Sequence, residues 1–199
     1  MGLHDLSCAQ LIELAAQNGF GGLDVPADAL HSRETARAAR QAITDAGMQW
    51  GLFWLPCDIT AEDDAQYARG LERLNALLPL VATTGCARTY AHIWPGSNAR
   101  DYAENFQWHV ARLSPAAALL AEYGVTLGLE FIGPKTLRDT FRYPFIHTLD
   151  GIVELADACT PPVGVVLAAL LFCARVVSVL VRFRWSPQPS QPGRTNPDS

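Results

Sequence analysis

Along residues 1–167 short apolar segments alternate with longer ones whose apolar positions recur every three or four residues. The short segments predict strands at Phe20–Val25, Met48–Leu55, Thr89–Trp94, Val125–Phe131 and Val163–Leu167. Several are apolar on consecutive residues, the pattern of a parallel sheet covered on both faces. The longer segments predict helices at Ala9–Asn18, Arg33–Ala46, Asp63–Val81, Asp101–Tyr123 and Thr148–Ala158. The third shows its buried stripe in Tyr67, Leu71, Leu74, Leu78 and Val81. Gly19, Gly47 and Gly124 stand where helices stop. Pro79 and Pro115 fall inside helical stretches, so a kink or break is expected at each. Repeated β-α units of this kind build either a closed (β/α)8 barrel or an open doubly wound sheet, and the periodicity does not choose between them. Gly19, Gly21 and Gly22 read as a helix stop and a turn ahead of Leu23 rather than as a phosphate loop, which would follow a strand.

Charge divides the chain near Leu167. The whole sequence carries a formal net charge of −5, which splits into −8 over residues 1–167 and +3 over residues 168–199. The second stretch opens on an apolar run and ends rich in Pro, Ser and Arg, and is expected to be disordered at its end. Residues 163–181 hold Arg175 as their only charge, which raises the question of a membrane span. A central arginine offsets much of the apolar gain, and the basic flank Arg182-Phe-Arg-Trp185 gives the wrong orientation, so membrane attachment is not expected. The chain has 15 basic residues, of which Lys135 is the only lysine, a bias typical of GC-rich coding. Residues 168–199 are therefore expected to be an out-of-frame tail that replaces a lost continuation. An acidic balance argues against a nucleic-acid partner. Five scattered cysteines, with no C-x-x-C pair and no secretory leader in Met1–Ala16, point to reduced thiols and a cytoplasmic setting.

Candidate chemistry lies at strand ends, where a barrel carries its active site. Glu130 closes the apolar run Val125-Thr-Leu-Gly-Leu-Glu130, and a carboxylate there calls for a partner or a metal. A rim position facing Arg138 or Arg142 is the alternative. His92, in Tyr90-Ala-His-Ile-Trp94, suits proton transfer, a metal or a substrate hydroxyl, unless it is a satisfied core residue. Trp54 is a candidate wall for a sugar or simply a core aromatic. Lys135 and Arg138 share one loop and could hold an anion, or stand solvated. His147 precedes a helix that Thr148 is expected to cap. No H-E-x-x-H, zinc-type Cys/His spacing or Gly-x-Ser-x-Gly elbow occurs.

Four segments carry a family resemblance. Glu13-Leu-Ala-Ala-Gln-Asn-Gly-Phe-Gly-Gly-Leu-Asp24, Glu122-Tyr-Gly-Val-Thr-Leu-Gly-Leu-Glu130, Gly133-Pro-Lys-Thr-Leu-Arg138 and Arg142-Tyr-Pro-Phe-Ile-His-Thr-Leu-Asp150 resemble the sugar phosphate isomerase/epimerase family of xylose-isomerase-like TIM barrels. The resemblance implies an α/β fold, here a partial (β/α)8 barrel of about five parallel strands over residues 1–167, followed by a non-family tail. It implies a sugar or polyol substrate and a divalent metal (manganese, magnesium or cobalt) held by a glutamate, an aspartate, a histidine and a second glutamate. Glu130 matches the first of these, as metal ligand and catalytic group, with His92 beside it in catalysis. Trp54, Lys135, Arg138 and His147 become substrate contacts.

The aspartate expected directly after Leu167 is Ala168, and the later histidine and glutamate have no counterpart. The resemblance therefore implies a truncated chain of the metal-dependent lineage. The alternatives are an inactive fragment or an interaction module tethered through residues 163–181. Open sheet edges are expected to favour association or aggregation.

Overall fold

The computed structural model describes residues 6–166. Six helices alternate with the strands: α1 (Cys8–Gln17), α2 (Arg33–Asp45), α3 (Asp64–Thr84), α4 (Tyr102–Glu122), the single turn α5 (Lys135–Arg138) and α6 (Leu149–Ala158). The strands are β1 (Gly22–Leu23), β2 (Gln49–Trp50), β3 (Arg88–Ile93), β4 (Gly96–Ser97), β5 (Thr126–Phe131), β6 (Tyr143–Pro144) and β7 (Gly164–Val165). Polar caps set the helix starts. Ser7 and Ser32 each close a capping box, while Asp63, Asp101 and Thr148 accept hydrogen bonds from backbone N–H groups of the first turn. Gly19, Gly47 and Gly124 adopt φ of 75°, 65° and 69°, the left-handed conformation that ends a helix and that glycine reaches without strain.

β1 pairs with β2, and β3 with β5 and then β7, all parallel. A bridge between Phe53 and Thr89 joins the two groups. The spatial order β1-β2-β3-β5-β7 thus follows the chain without reversal. Right-handed crossovers in such an order place every helix on one side of the sheet, whereas a doubly wound sheet reverses at a switch point. The arrangement is an open arc of barrel type, with five parallel strands and no closure among the described residues.

The core lies between the arc and its helices, where Phe53, Leu74, Leu78, Ile93, Leu113, Leu120, Leu129, Ile152 and Leu155 are fully buried. In β3 the faces alternate: Thr89, Ala91 and Ile93 are buried, while Arg88, Tyr90 and His92 are only partly covered. Two-sided apolar burial is therefore not what β3 shows. Its second face is the concave side of the arc, and that is where the polar side chains stand.

Three expectations change. α3 and α4 run through Pro79 and Pro115 without a break. Each proline removes one N–H, and buried neighbours on the same helices (Leu74, Leu78 and Val81; Leu113, Ala116 and Ala117) hold them in place. The segment around Lys135 is helical rather than loop. A short antiparallel pair, β4 with β6, ties the loop after β3 to the loop after β5, and Asn98 Oδ1 accepts the Arg142 N–H at 2.9 Å beside it. The apolar run 163–181 lies mostly outside the described residues. Among the described residues no helix is long and apolar enough to cross a membrane.

Two stability predictions arise here. A Cβ added at Gly22 would collide with the backbone carbonyl oxygen of Gln49 on the neighbouring strand. Gly22→Ala is expected to cost about 1–3 kcal/mol, as overpacking does, and urea unfolding measures it; an unchanged midpoint would contradict the pairing of β1 with β2.

His109 is the second case. Burial, followed by the charges of Arg100 and Arg112, pushes its pKa down to about 4, against the opposing contact of Nδ1 with the Asn105 carbonyl. The unfolded chain therefore takes up a proton first as the pH falls. Stability is full above the ordinary value of 6.5 and drains away towards pH 4, by about 3 kcal/mol in all. His109→Leu is expected to flatten that part of the curve of stability against pH. An unchanged slope would show that His109 does not drive it.

Candidate functional site

The parallel register of β3 and β5 sets His92 directly beside Glu130. Both side chains lie on the concave face, and His92 Nε2 stands 3.1 Å from Glu130 Oε2. The carboxylate is 22% exposed and the imidazole 39%, so both meet solvent while most of each is enclosed by protein. Two residues back along β3, on the same face, Tyr90 sets its ring edge-on to His92 at 5.0 Å between centroids and edge-on to Trp54 at 6.1 Å. Trp54 is 71% exposed, a large aromatic surface left open at the end of the segment following β2. Burial first, then the carboxylates of Glu130 and Asp24, hold the Tyr90 phenol above its ordinary pKa. Asp24, just after β1, accepts the Leu52 N–H at 2.8 Å and so fixes the neighbouring strand end. A carboxylate, an imidazole, a phenol and an indole thus share one concave surface.

The other expected contacts, Lys135, Arg138 and His147, have other surroundings. Lys135 opens α5, is 74% exposed and pairs with Asp139 at 2.6 Å, one turn along the chain. Arg138 closes α5 partly buried, with its Nε enclosed and unpartnered. His147 turns Nδ1 to the carbonyl of Phe145 at 2.8 Å, and Thr148 caps α6 as expected. Among the described residues no hydrogen bond, ion pair or ring contact links these three to Glu130 or His92. Tyr90 and Asp24 were absent from the sequence expectation. Tyr90 was within reach of it, because period-two alternation from His92 puts position 90 on the same face; Asp24 depends on a neighbouring strand and gave no local signal.

The donor set decides how far a metal fits. Manganese and magnesium ions call for several donors, mostly oxygens, at fixed geometry. Among the described residues no group of three or more His, Cys, Asp or Glu side chains could hold an ion. Glu130 and His92 are two donors already turned to one another. Among the described residues they are fewer donors than such a cage needs. The cysteines Cys8, Cys57 and Cys159 are buried, with burial raising their thiols to about 11, so they offer no nucleophile.

Residues 12–169 match the family model described as xylose isomerase-like TIM barrel, and residues 148–196 match a family of unknown function. No curated protein matches. Among solved structures the chain is similar to a xylose isomerase domain protein from Alicyclobacillus acidocaldarius subsp. acidocaldarius. That pair is 25% identical with a TM-score of 0.67, and the match covers 81% of this chain and 59% of the other. It is also similar to D-psicose 3-epimerase in the presence of D-fructose (18% identity, TM-score 0.58, covering 78% of this chain and 55% of that one). A third is the IOLI protein with a binding zinc atom (16% identity, TM-score 0.61, covering 78% and 55%). The chain therefore spans less than two thirds of the length of these structures.

Proposed function

From the fact that the chain belongs to the xylose isomerase-like TIM-barrel family, we propose that its concave face binds a small sugar-like carbonyl compound and moves a proton at the carbon beside the carbonyl. The observation that carries this reading is the His92–Glu130 pair at 3.1 Å on the concave face. Glu130 takes the proton from that carbon. The C–H electron pair becomes the new carbon–carbon double bond, and the carbonyl oxygen accepts a proton from His92, giving a neutral enediol. Return of the proton from Glu130 to the former carbonyl carbon, with His92 recovering its proton from the hydroxyl on the carbon first deprotonated, which becomes the new carbonyl, completes an isomerisation. Imidazole and carboxylate suit these two roles because the ring has an N–H to donate and the carboxylate has an oxygen to accept a proton. Trp54 and Tyr90 cover the apolar C–H surface of the substrate.

A second reading has its own support. The short donor set favours a chain that binds a polyol without turning it over. Both readings are open to one experiment, in which the full chain is incubated with a ketose in deuterium oxide and the signal of the proton beside the carbonyl is followed by NMR. Protein-dependent loss of that signal, slowed at least tenfold in His92→Ala, is the expected result. Binding with no exchange would leave only the second reading.

A further inference from the structure

We propose that the short β4–β6 clasp keeps His92 and Glu130 at working distance, and that Asn98, which closes the clasp, is a positioning residue for proton transfer. The inference rests on the reading of His92 and Glu130 as the proton-moving pair, and it concerns what holds that pair in place. The two residues stand one position before the ends of β3 and β5. Among the described residues the sheet narrows there to two strands. On its other side β3 is bridged to the segment after β2 only at Thr89, and β5 is paired with β7 only at Gly128 and Leu129. Two strands by themselves are marginally stable in water, and the ends of elements open first. Proton transfer tolerates little of this, since a shift of about 1 Å can cost about a hundredfold in rate.

The clasp supplies the restraint that the neighbouring strands do not. The Ile132 N–H donates to the Ile93 carbonyl at 3.2 Å, which carries the β3–β5 ladder one step past the strand ends. The chain then leaves for α5 and returns to the same piece of the β3 exit. The Phe145 N–H donates to the Pro95 carbonyl at 2.8 Å, Gly96 pairs with Pro144 and Ser97 with Tyr143, and Asn98 Oδ1 accepts the Arg142 N–H at 2.9 Å. Both ends of the loop after β5 are thus fastened to residues 93–98, directly beyond His92. Packing supports the fastening. A Cβ at Gly96 would fall on the Phe141 side chain, which lies flush against the Gly96 backbone. Phe145 is buried and stacks on His109 of α4, with 4.9 Å between centroids. Asn98 is exposed at the outer end of the clasp, so its side chain can be changed without opening the core.

The test compares the full wild-type chain with Asn98→Ala and Asn98→Asp, the second of which keeps an oxygen for the Arg142 N–H. Three quantities are read for the ketose D-fructose and the protein. They are the rate of proton exchange beside the carbonyl in deuterium oxide, the affinity by calorimetry, and hydrogen exchange at the Ile132 amide. Asn98→Ala is expected to slow proton exchange per bound molecule about tenfold, the scale of one hydrogen bond. It should quicken Ile132 amide exchange by a similar factor, with affinity and thermal midpoint little changed. Asn98→Asp is expected to restore both rates. A wild-type rate in Asn98→Ala overturns the inference, as does an Asn98→Asp chain as slow as Asn98→Ala. Affinity that falls while the rate per bound molecule holds overturns it too, because that is the mark of a merely structural contact. Failure of the parent reading looks different: the wild type itself would move no proton, and the positioning role would go with it. An active wild type with an unaffected Asn98→Ala keeps the parent reading and removes this one.

Discussion

Glu130→Gln is expected to slow proton exchange beside the substrate carbonyl by about a hundredfold to ten-thousandfold, the range spanned by general acid–base groups. The amide keeps the shape of the carboxylate and retains an oxygen for His92, but it cannot take a proton from carbon. Substrate affinity should change far less than the rate, because the indole of Trp54 and the phenol of Tyr90 remain. That split separates a base from a merely structural carboxylate. Calorimetry for the affinity and NMR exchange for the rate make the check. A variant that binds weakly and exchanges at the wild-type rate per bound molecule would show that Glu130 only shapes the site.

The largest stability effect is expected at Phe53. This side chain is fully buried at the joint between the β1–β2 pair and the β3–β5–β7 sheet. Its N–H donates to the Arg88 carbonyl at 3.1 Å, and its carbonyl accepts the Thr89 hydroxyl at 2.7 Å. Phe53→Ala leaves that backbone seam in place and opens a cavity behind it, at a cost of about 3–5 kcal/mol. Set against a total stability of about 5–15 kcal/mol for a domain, this is enough to leave much of the protein unfolded under mild stress. Urea unfolding followed by circular dichroism measures it. A loss under about 1 kcal/mol, well below the range for buried aromatics, would mean that the two strand groups do not share one core. Phe53→Leu, which restores most of the volume, should recover most of the loss.

Both predictions turn on residues that the sequence reveals to different degrees. Glu130 stands out because a charge after Val125-Thr-Leu-Gly-Leu129 needs a reason. The helix ends at Gly19, Gly47 and Gly124 were equally legible, since a left-handed turn almost demands glycine. The alternation of strands and helices gave the α/β class, and the unreversed strand order selects the barrel-type arc.

What the sequence withheld is long-range. His92 and Glu130 lie 38 positions apart, and only the register of β3 against β5 brings them side by side. Lys135 and Asp139 are one helical turn apart, so their pairing follows once the segment is helical, but Gly133-Pro-Lys-Thr read as a loop. Pro79 and Pro115 pointed to breaks because propensity speaks for an isolated helix, whereas each of these helices is clamped by buried leucines. The short β4–β6 pair has no periodicity to detect at two residues per strand. The expected boundary at Leu167 and the tail after it lie outside the described residues.

The coupling of two side chains across β3 and β5 is what the whole functional account requires. A double-mutant cycle on the exchange rate, using wild type, His92→Ala, Glu130→Gln and the double variant, measures it directly. If imidazole and carboxylate work as one unit, the double variant will be nearly as active as Glu130→Gln alone, because the second loss has nothing left to remove. Losses that multiply independently, or a wild-type chain that exchanges no proton at all, would contradict the account.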